Sequence, residues 1–148
     1  MASIEVKKVK SLELYDIETL LLESSEEGFR FVKRLRDEKG INRFDRSGEA
    51  LFVVEINSEI IGIGGLNQDP YINKEGYGRV RHLYVLSRHR GKGIGKTILR
   101  KIIDEAREHF EVLLLRTNNE IADAMYCNEG FNKIDQYIHA SHYLMLKK

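Results

Sequence analysis

The chain is poor in most of the residues that cross-link or punctuate a fold. Its 148 residues include one cysteine, Cys127, one proline, Pro70, and no tryptophan. A lone cysteine excludes an internal disulfide and a thiolate metal cluster, and its ordinary reading is a small, half-buried apolar residue. Without a Pro- or Ser-rich stretch, an internal repeat or a low-complexity segment, residues 1–148 read as a single domain. No window approaches the ~18 apolar residues of a spanning helix. The opening MASIEVKKVK lacks the apolar run of a secretory signal, so no membrane attachment and a cytoplasmic location are expected. An excess of one charge is missing too: 24 Lys plus Arg face 23 Asp plus Glu, a net charge of +1. That balance argues against a nucleic-acid partner wrapped by the whole domain, so any basic site must be local. A chain of this length buries roughly 70% of the surface it exposes when unfolded, and needs no metal to hold it together.

Hydrophobic periodicity supplies the elements. Residues 4–9 (IEVKKV) alternate as a first strand, and Leu14, Ile17, Leu20 and Leu21 recur at helical spacing up to a break near Gly28. Phe29, Val32, Leu35 and Arg36 predict a second helix that stops at Gly40. ALFVVEI (50–56), a polar turn at Asn57-Ser58-Glu59 and IIGIGGL (60–66) predict a strand hairpin. After a turn at Asp69-Pro70-Tyr71 comes a third antiparallel strand, RVRHLYVL (79–86). Ile94, Ile98, Leu99, Ile102, Ile103 and Ala106 form one apolar stripe of a helix ending near Phe110. VLLL (112–115) is the uninterrupted run of a strand covered on both faces, as in parallel, helix-flanked sheets. A short helix around 120–128, a turn at Gly130-Phe131 and strands near 131–138 and 142–147 complete the series. The fold class is α/β or α+β, a mixed central sheet.

Between the 79–86 strand and the long helix lies RHRGKGIGKTIL (88–99). Gly91, Gly93 and Gly95 alternate there, and Arg88, Arg90, Lys92, Lys96 and the flanking Arg100 carry positive charge with no acid among them. A helix start leaves its first N–H groups without intrahelical partners, and glycines let further N–H groups turn toward a ligand, which suits phosphate oxygens. The basic side chains would pair with a polyphosphate or remain solvated. Gly95-Lys96-Thr97 imitates the end of a triphosphate loop, but Arg90 stands where G-x-x-x-x-G-K-[ST] requires glycine. The dinucleotide pattern G-x-G-x-x-G fails as well, because position 96 is lysine.

The pattern that fits is [Q/R]-x-x-G-x-[G/A], as Arg90-Gly91-Lys92-Gly93-Ile94-Gly95 after the strand HLYV, with a second block, Asn119-x-x-Ala122-x-x-x-Tyr126-x-x-x-Gly130-Phe131. In these two blocks, and in its whole order of elements, the chain resembles the GNAT superfamily of acetyl-CoA-dependent N-acetyltransferases. The resemblance implies a sheet of about seven strands flanked by about four helices. It also implies that the strands at 79–86 and 112–117 splay apart around the pantetheine arm. By the same resemblance, the loop N–H groups of Arg90, Gly91, Lys92, Gly93, Ile94, Gly95 and Lys96 would hold the pyrophosphate of acetyl-CoA as co-substrate. Tyr84 and Val85 would contact the coenzyme, and the backbone N–H of Leu83 would stabilise the oxyanion. Tyr126 would protonate, or hydrogen-bond, the leaving thiolate, although its structural alternative is a helix-packing aromatic. Asn119 would contact the coenzyme or simply cap its helix.

Two features depart from that pattern. Relatives often carry a glutamate or histidine two or four residues before the oxyanion-binding position, and here those positions are Arg81 and Arg79. Arginine cannot act as a base. On the strand face leading to the thioester, the two arginines could instead bind a carboxylate or phosphate of the acceptor, or be solvated or paired within the protein. His82, on the opposite face by simple alternation, and His142 are outside candidates for the base, beside ordered water. His139 and His142, with no carboxylate close by in sequence, make no persuasive metal site, and no metal is expected. The leading reading is direct acetyl transfer from acetyl-CoA to an amine of a small molecule or peptide, compatible with a homodimer. Cys127, one residue past Tyr126 and on another side of the helix, does not suggest a covalent intermediate. A coenzyme A or acyl-CoA binding module without turnover, and a nucleotide or nucleic-acid binding protein, are the alternatives.

Overall fold

A computed structural model describes residues 4–10, 14–28, 44–72, 74–133, 137 and 139–146. In chain order its elements are β1 (Glu5–Lys8), α1 (Glu18–Glu26), β2 (Ala50–Ile56), β3 (Glu59–Gln68), β4 (Tyr77–Val85), α2 (Ile94–His109), β5 (Val112–Leu115), α3 (Glu120–Asn128), β6 (Asn132–Lys133) and β7 (His142–Met145). A single 3-10 turn at Ser87–His89 joins β4 to the glycine loop. Seven strands form one sheet in the order β1-β2-β3-β4-β5-β7-β6, with β4 and β5 the parallel pair and the other neighbours antiparallel. The described residues include three α-helices against an expected four. The second expected helix, Phe29 to Gly40, falls outside the described residues.

Local chemistry explains these elements. Asn57 and Ser58 both have positive φ, 51° and 67°, between the paired residues Ile56 and Glu59. That is the two-residue hairpin turn whose twist matches its strands, with asparagine at a position that favours it. In α2 the whole predicted stripe from Ile94 to Ala106 is buried, and the helix lies on β2, β3 and β4. Basic Arg107 and His109 sit in its last turn, where the helix dipole favours positive charge.

The glycines of β3 let this helix approach. A Cβ on Gly64 would lie 2.6 Å from Ile98 Cγ2 and 3.1 Å from both Ile102 Cδ1 and Leu83 Cδ1. Ile98 and Ile102 are fully buried and β-branched, so they have little room to yield. Gly64→Ala should therefore destabilise the fold by roughly 1–3 kcal/mol through overpacking, measurable by urea denaturation. An unchanged midpoint would mean that α2 slides at no cost.

Two irregularities in β4 shape the site. First, β4 pairs with β5 only from Tyr77↔Val112 to Arg79↔Leu114. Past that point β4 continues along β3, while β5 continues along β7 through Leu115↔His142, so two backbones part and face one another across a gap. Second, the β3–β4 register slips: Arg81 opposes Gly65 and Tyr84 opposes Ile63, with two residues of β4, His82 and Leu83, set against Gly64. His82 occupies the left-handed region at φ 60°. Such a bulge inserts one residue, bends the strand and breaks the alternation of faces.

Candidate active site

The glycine loop lies at the end of β4, at the mouth of the gap. Gly91 and Gly93 have φ values of 78° and 81°, in the left-handed region that glycine occupies at least cost, and a Cβ on either would meet nothing within 4 Å. The space beside both Cα atoms is therefore open. Gly93 is the N-cap of α2, and its carbonyl accepts the N–H of Thr97 at 3.0 Å and the Thr97 hydroxyl at 2.9 Å. The N–H groups of Ile94, Gly95 and Lys96 precede that first helical bond, which leaves them, with the dipole, for an anion.

The loop's basic side chains are arranged differently from the sequence expectation of direct pairing with phosphate. The Arg90 guanidinium turns back to the end of α1, holding Glu27 through both branches at 2.6 and 3.2 Å and donating to the Val85 carbonyl at 2.9 Å. It also stacks 5.2 Å from the centre of the Tyr84 ring. The Tyr84 hydroxyl lies 2.9 Å from Glu23 and 2.5 Å from Glu27, and the N–H of Ser87 donates to Glu23 at 2.7 Å. Hydrogen bonds from Arg90 and then from Tyr84 hold the Glu27 carboxyl below its ordinary range. Arg88 pairs with Glu59, and Lys96 lies 3.6 Å from Glu129. Lys92 is exposed within the loop. The side chains of Arg88, Arg90 and Lys96 thus engage acids of the protein itself and fasten the loop to its surroundings.

The bulge decides which side of the sheet each β4 residue serves. Leu83 and Val85 lie toward α2: the Leu83 side chain approaches Gly64 beside Ile98 and Ile102, and Val85 lies 3.7 Å from the Cβ position of Gly95. Tyr84 lies toward α1, with Glu23 and Glu27. Arg81 shares the Tyr84 face, since their partners Gly65 and Ile63 are two apart on β3. Arg79, two residues before Arg81, lies on that face as well. Simple alternation places the two arginines with Leu83 and His82 opposite them; the inserted residue instead parts the arginines from Leu83. His82 is buried, with its ring edge-on to Phe44 at 5.8 Å. Phe44 also crowds the Cβ position of Gly65, on the same side as Arg81. The backbone of Leu83 itself lies in the bulge, outside the β3 register and beyond the last β5 pair.

The arginines differ in their engagement. Arg79 is buried, donates to Asp69 at 2.9 Å and to the His139 carbonyl at 2.6 Å, and covers the Tyr71 ring at 4.8 Å. It is an internal ion pair and not a group presented to an acceptor, which corrects the expectation for this residue. Arg81 is half-buried and donates to the Asn67 side-chain oxygen at 3.0 Å. Asn67, fully buried, donates in turn to Glu49 at 3.0 Å. Sequence reading missed Glu49, Asn67 and Asp69, because no local motif shows that these polar residues converge on one strand face.

The second sequence block has a structural cause. Helix α3 ends in a Schellman cap, in which the N–H of Gly130 bonds the Cys127 carbonyl and that of Phe131 bonds the Tyr126 carbonyl, each at 3.1 Å. Gly130 takes φ 103°, and the accompanying apolar contact is Tyr126 on Phe131, rings 5.7 Å apart. Asn119 caps the other end, its side chain accepting the N–H of Ala122 at 3.0 Å. Met125 lies 3.5 Å from the Cβ position of Gly95, which sets α3 against the start of α2. Tyr126 is buried, and burial raises its phenol well above the ordinary range. His142, also buried, lies 6.0 Å from the Tyr126 ring centre. Its Nε2 meets Asp123 at 2.6 Å and its Nδ1 meets Ser141 at 2.7 Å, so both nitrogens are engaged within the protein. Cys127 is exposed, contrary to the half-buried expectation, and its thiol lies 3.5 Å from Asp123. Among the described residues, no helix is long and apolar enough to cross a membrane.

Known proteins support what this geometry suggests. The sequence pattern of the acetyltransferase (GNAT) family matches residues 13–131. Human N-acetyltransferase 8B is 32% identical over 93 residues, covering 60% of this chain and 41% of that protein. The N-alpha-acetyltransferase RimI of Mycobacterium tuberculosis is 34% identical over 73 residues, covering 49% and 44%. The chain thus spans less than half the length of these curated relatives. The crystal structure of a candidate acetyltransferase from Exiguobacterium sp. 255-15 superposes with a TM-score of 0.87 at 31% identity, over 97% of this chain and 93% of that one. N-acetylglutamate synthase from Neisseria gonorrhoeae, solved with coenzyme A and N-acetyl-glutamate, shares the fold alone, with a TM-score of 0.73 at 17% identity, over 100% of this chain and 36% of that one. With its glycine loop, its parted strands and a family match over most of its length, the chain belongs to the acetyltransferase (GNAT) family.

Proposed function

We propose that residues 1–148 form one N-acetyltransferase domain that passes acetyl from acetyl-CoA directly to an amine. The observation that carries the reading is the open glycine loop, with α2 starting behind it, at the mouth of the gap between β4 and β5. The loop N–H groups from Gly91 to Lys96 take the pyrophosphate, and the pantetheine enters the gap from the α2 side. Val85 and the backbone at Tyr84 line that path, and Asn119 flanks it. The acceptor then meets the thioester from the α1 side. As the amine attacks, charge builds on the carbonyl oxygen, and the Leu83 N–H in the bulge stabilises it. The tetrahedral intermediate collapses by breaking the C–S bond, and Tyr126 donates a hydrogen bond to the departing thiolate. The amine's proton leaves through water: Arg79 and Arg81 cannot accept it, and both nitrogens of His142 are engaged.

Thiol release measured with acetyl-CoA and a broad panel of amines tests the proposal. Acetylated product accumulating with one thiol per acetyl group is expected. Tight coenzyme A binding without turnover on any amine would favour the binding-module alternative.

Acceptor charge follows from Arg81, which lies on the α1 side and donates to Asn67, itself bonded to Glu49. An amine bearing a carboxylate, such as an amino acid or a peptide terminus, is the preferred class. Arg81→Ala should raise the acceptor KM about tenfold or more, by removing a charge-assisted hydrogen bond of ~1.5–3 kcal/mol, with the acetyl-CoA KM unchanged. An unchanged acceptor KM would remove the anionic-acceptor idea.

A further inference from the structure

Helix α3 and strand β7 bring together three metal-ligating side chains: Asp123 and Cys127, four residues apart on the helix, and His142, which reaches them from the strand. The His142 Nε2 lies 2.6 Å from Asp123 Oδ1, and the Cys127 thiol lies 3.5 Å from the same oxygen. One ligand atom from each of the three lies within 4.8 Å of the others.

We propose that Asp123, Cys127 and His142 form a site for a zinc-type divalent ion. Such an ion would take thiolate sulfur, imidazole nitrogen and carboxylate oxygen, with water as the fourth ligand. Tetrahedral zinc accepts this donor set, whereas the sulfur disfavours the hard ions magnesium and calcium.

Three further observations support the site. The imidazole is already oriented: His142 is 1% exposed, and its Nδ1 meets Ser141 Oγ at 2.7 Å. Ser141 Oγ in turn accepts the N–H of Thr117 at 2.9 Å. The serine can accept Nδ1–H when Nε2 binds metal, which is the outer-shell support typical of metal-bound histidine. A cavity of about 70 Å³, lined by Thr117, Asn119, Asp123, Lys133 and His142 among others, adjoins two of the three ligands, Asp123 and His142, and has room for water. The exposed Cys127 gives the ion a way in from solvent. With zinc on Nε2 the imidazole would carry its one proton on Nδ1, donated to Ser141, and the thiol proton would go to solvent, so thiolate and carboxylate would balance the charge of the ion. Lys133 opposes binding, but it lies 3.6 Å from the other oxygen, Oδ2, and its side chain is 69% exposed, free to swing away.

The test needs no acetyl transfer, so its outcome is independent of the catalytic proposal. Co²⁺ and Zn²⁺ are titrated into the full chain after treatment with a chelator. One equivalent should bind, with a thiolate-to-cobalt charge-transfer band. Cys127→Ser should abolish the band, and Cys127→Ser and Asp123→Asn should each weaken zinc about tenfold or more. Cys127 is exposed, so Cys127→Ser carries little folding risk, whereas Asp123 bonds the buried His142, so the Asp123→Asn variant is first shown by its melting temperature to be folded; His142→Gln, at a buried position, is a supporting variant only. Absence of the band, or zinc affinity unchanged in both α3 variants, would overturn the site.

Discussion

Tyr126→Phe should lower kcat by about 100-fold, the lower end of what a positioned proton donor contributes, and leave the melting temperature nearly unchanged. The ring is held by Phe131 and His142, and phenylalanine keeps its volume, so the variant removes one hydroxyl from an otherwise intact Schellman-capped helix. The acetyl-CoA KM should also stay near wild type, because the loop that takes the pyrophosphate is untouched. Between unperturbed groups, moving a proton from a phenol near ~10 to a thiolate near ~8.5 costs about 2 kcal/mol. Burial raises the Tyr126 phenol, which makes full transfer costlier and leaves donation of a hydrogen bond as the more economical role. A raised phenol is protonated at every pH up to and beyond its ordinary range. Tyr126 should therefore add no falling limb to the kcat profile between about pH 7 and 9. Full activity in the phenylalanine variant, measured by thiol release at saturating acetyl-CoA, would pass the role to water or another side chain.

Whether an element could be read from the sequence depended on how local its causes are. The α2 stripe, the VLLL strand and the Asn57-Ser58 turn follow from periodicity and turn chemistry within a few residues, and the structure has them in place. The Tyr126-to-Phe131 block was legible as a motif, and its cap geometry supplies the reason for the spacing. The bulge at His82 was not legible. A histidine at φ 60° is held there by the β3 pairs on either side of the bulge, Arg81↔Gly65 and Tyr84↔Ile63, and nothing in RVRHLYV announces an inserted residue. Strict alternation therefore failed at Leu83, the residue whose backbone N–H we propose stabilises the oxyanion. The engagement of Arg90 with Glu27 also escaped, because the partner lies 63 residues away. Asp123, Cys127 and His142 meet for the same kind of reason: a carboxylate on α3 answers a histidine on β7 only after the sheet has formed.

Asp69→Ala should be among the most damaging single substitutions, costing about 3–5 kcal/mol, because removing one partner of a buried ion pair strands the other charge. The Asp69 side chain is 0% exposed and that of Arg79 is 5% exposed, at 2.9 Å. The same carboxylate accepts the N–H groups of Tyr71 at 2.8 Å and Ile72 at 3.2 Å, which forms the turn after β3. Losing it would free that turn and take from the buried Arg79 guanidinium its ion pair with Asp69. For a chain of this size the melting temperature should fall by roughly 10 °C, followed by circular dichroism. Asp69→Asn, which keeps an oxygen for the turn but loses the charge, should fall between the variant and wild type. Pairing Asp69→Leu with Arg79→Met removes both charges together and should recover part of the loss, since a buried ion pair replaced by apolar groups is often tolerated. If Asp69→Ala proved nearly neutral, Arg79 would be reaching solvent or another carboxylate. The anion-binding role assigned to Arg81 alone would then have to be shared with it.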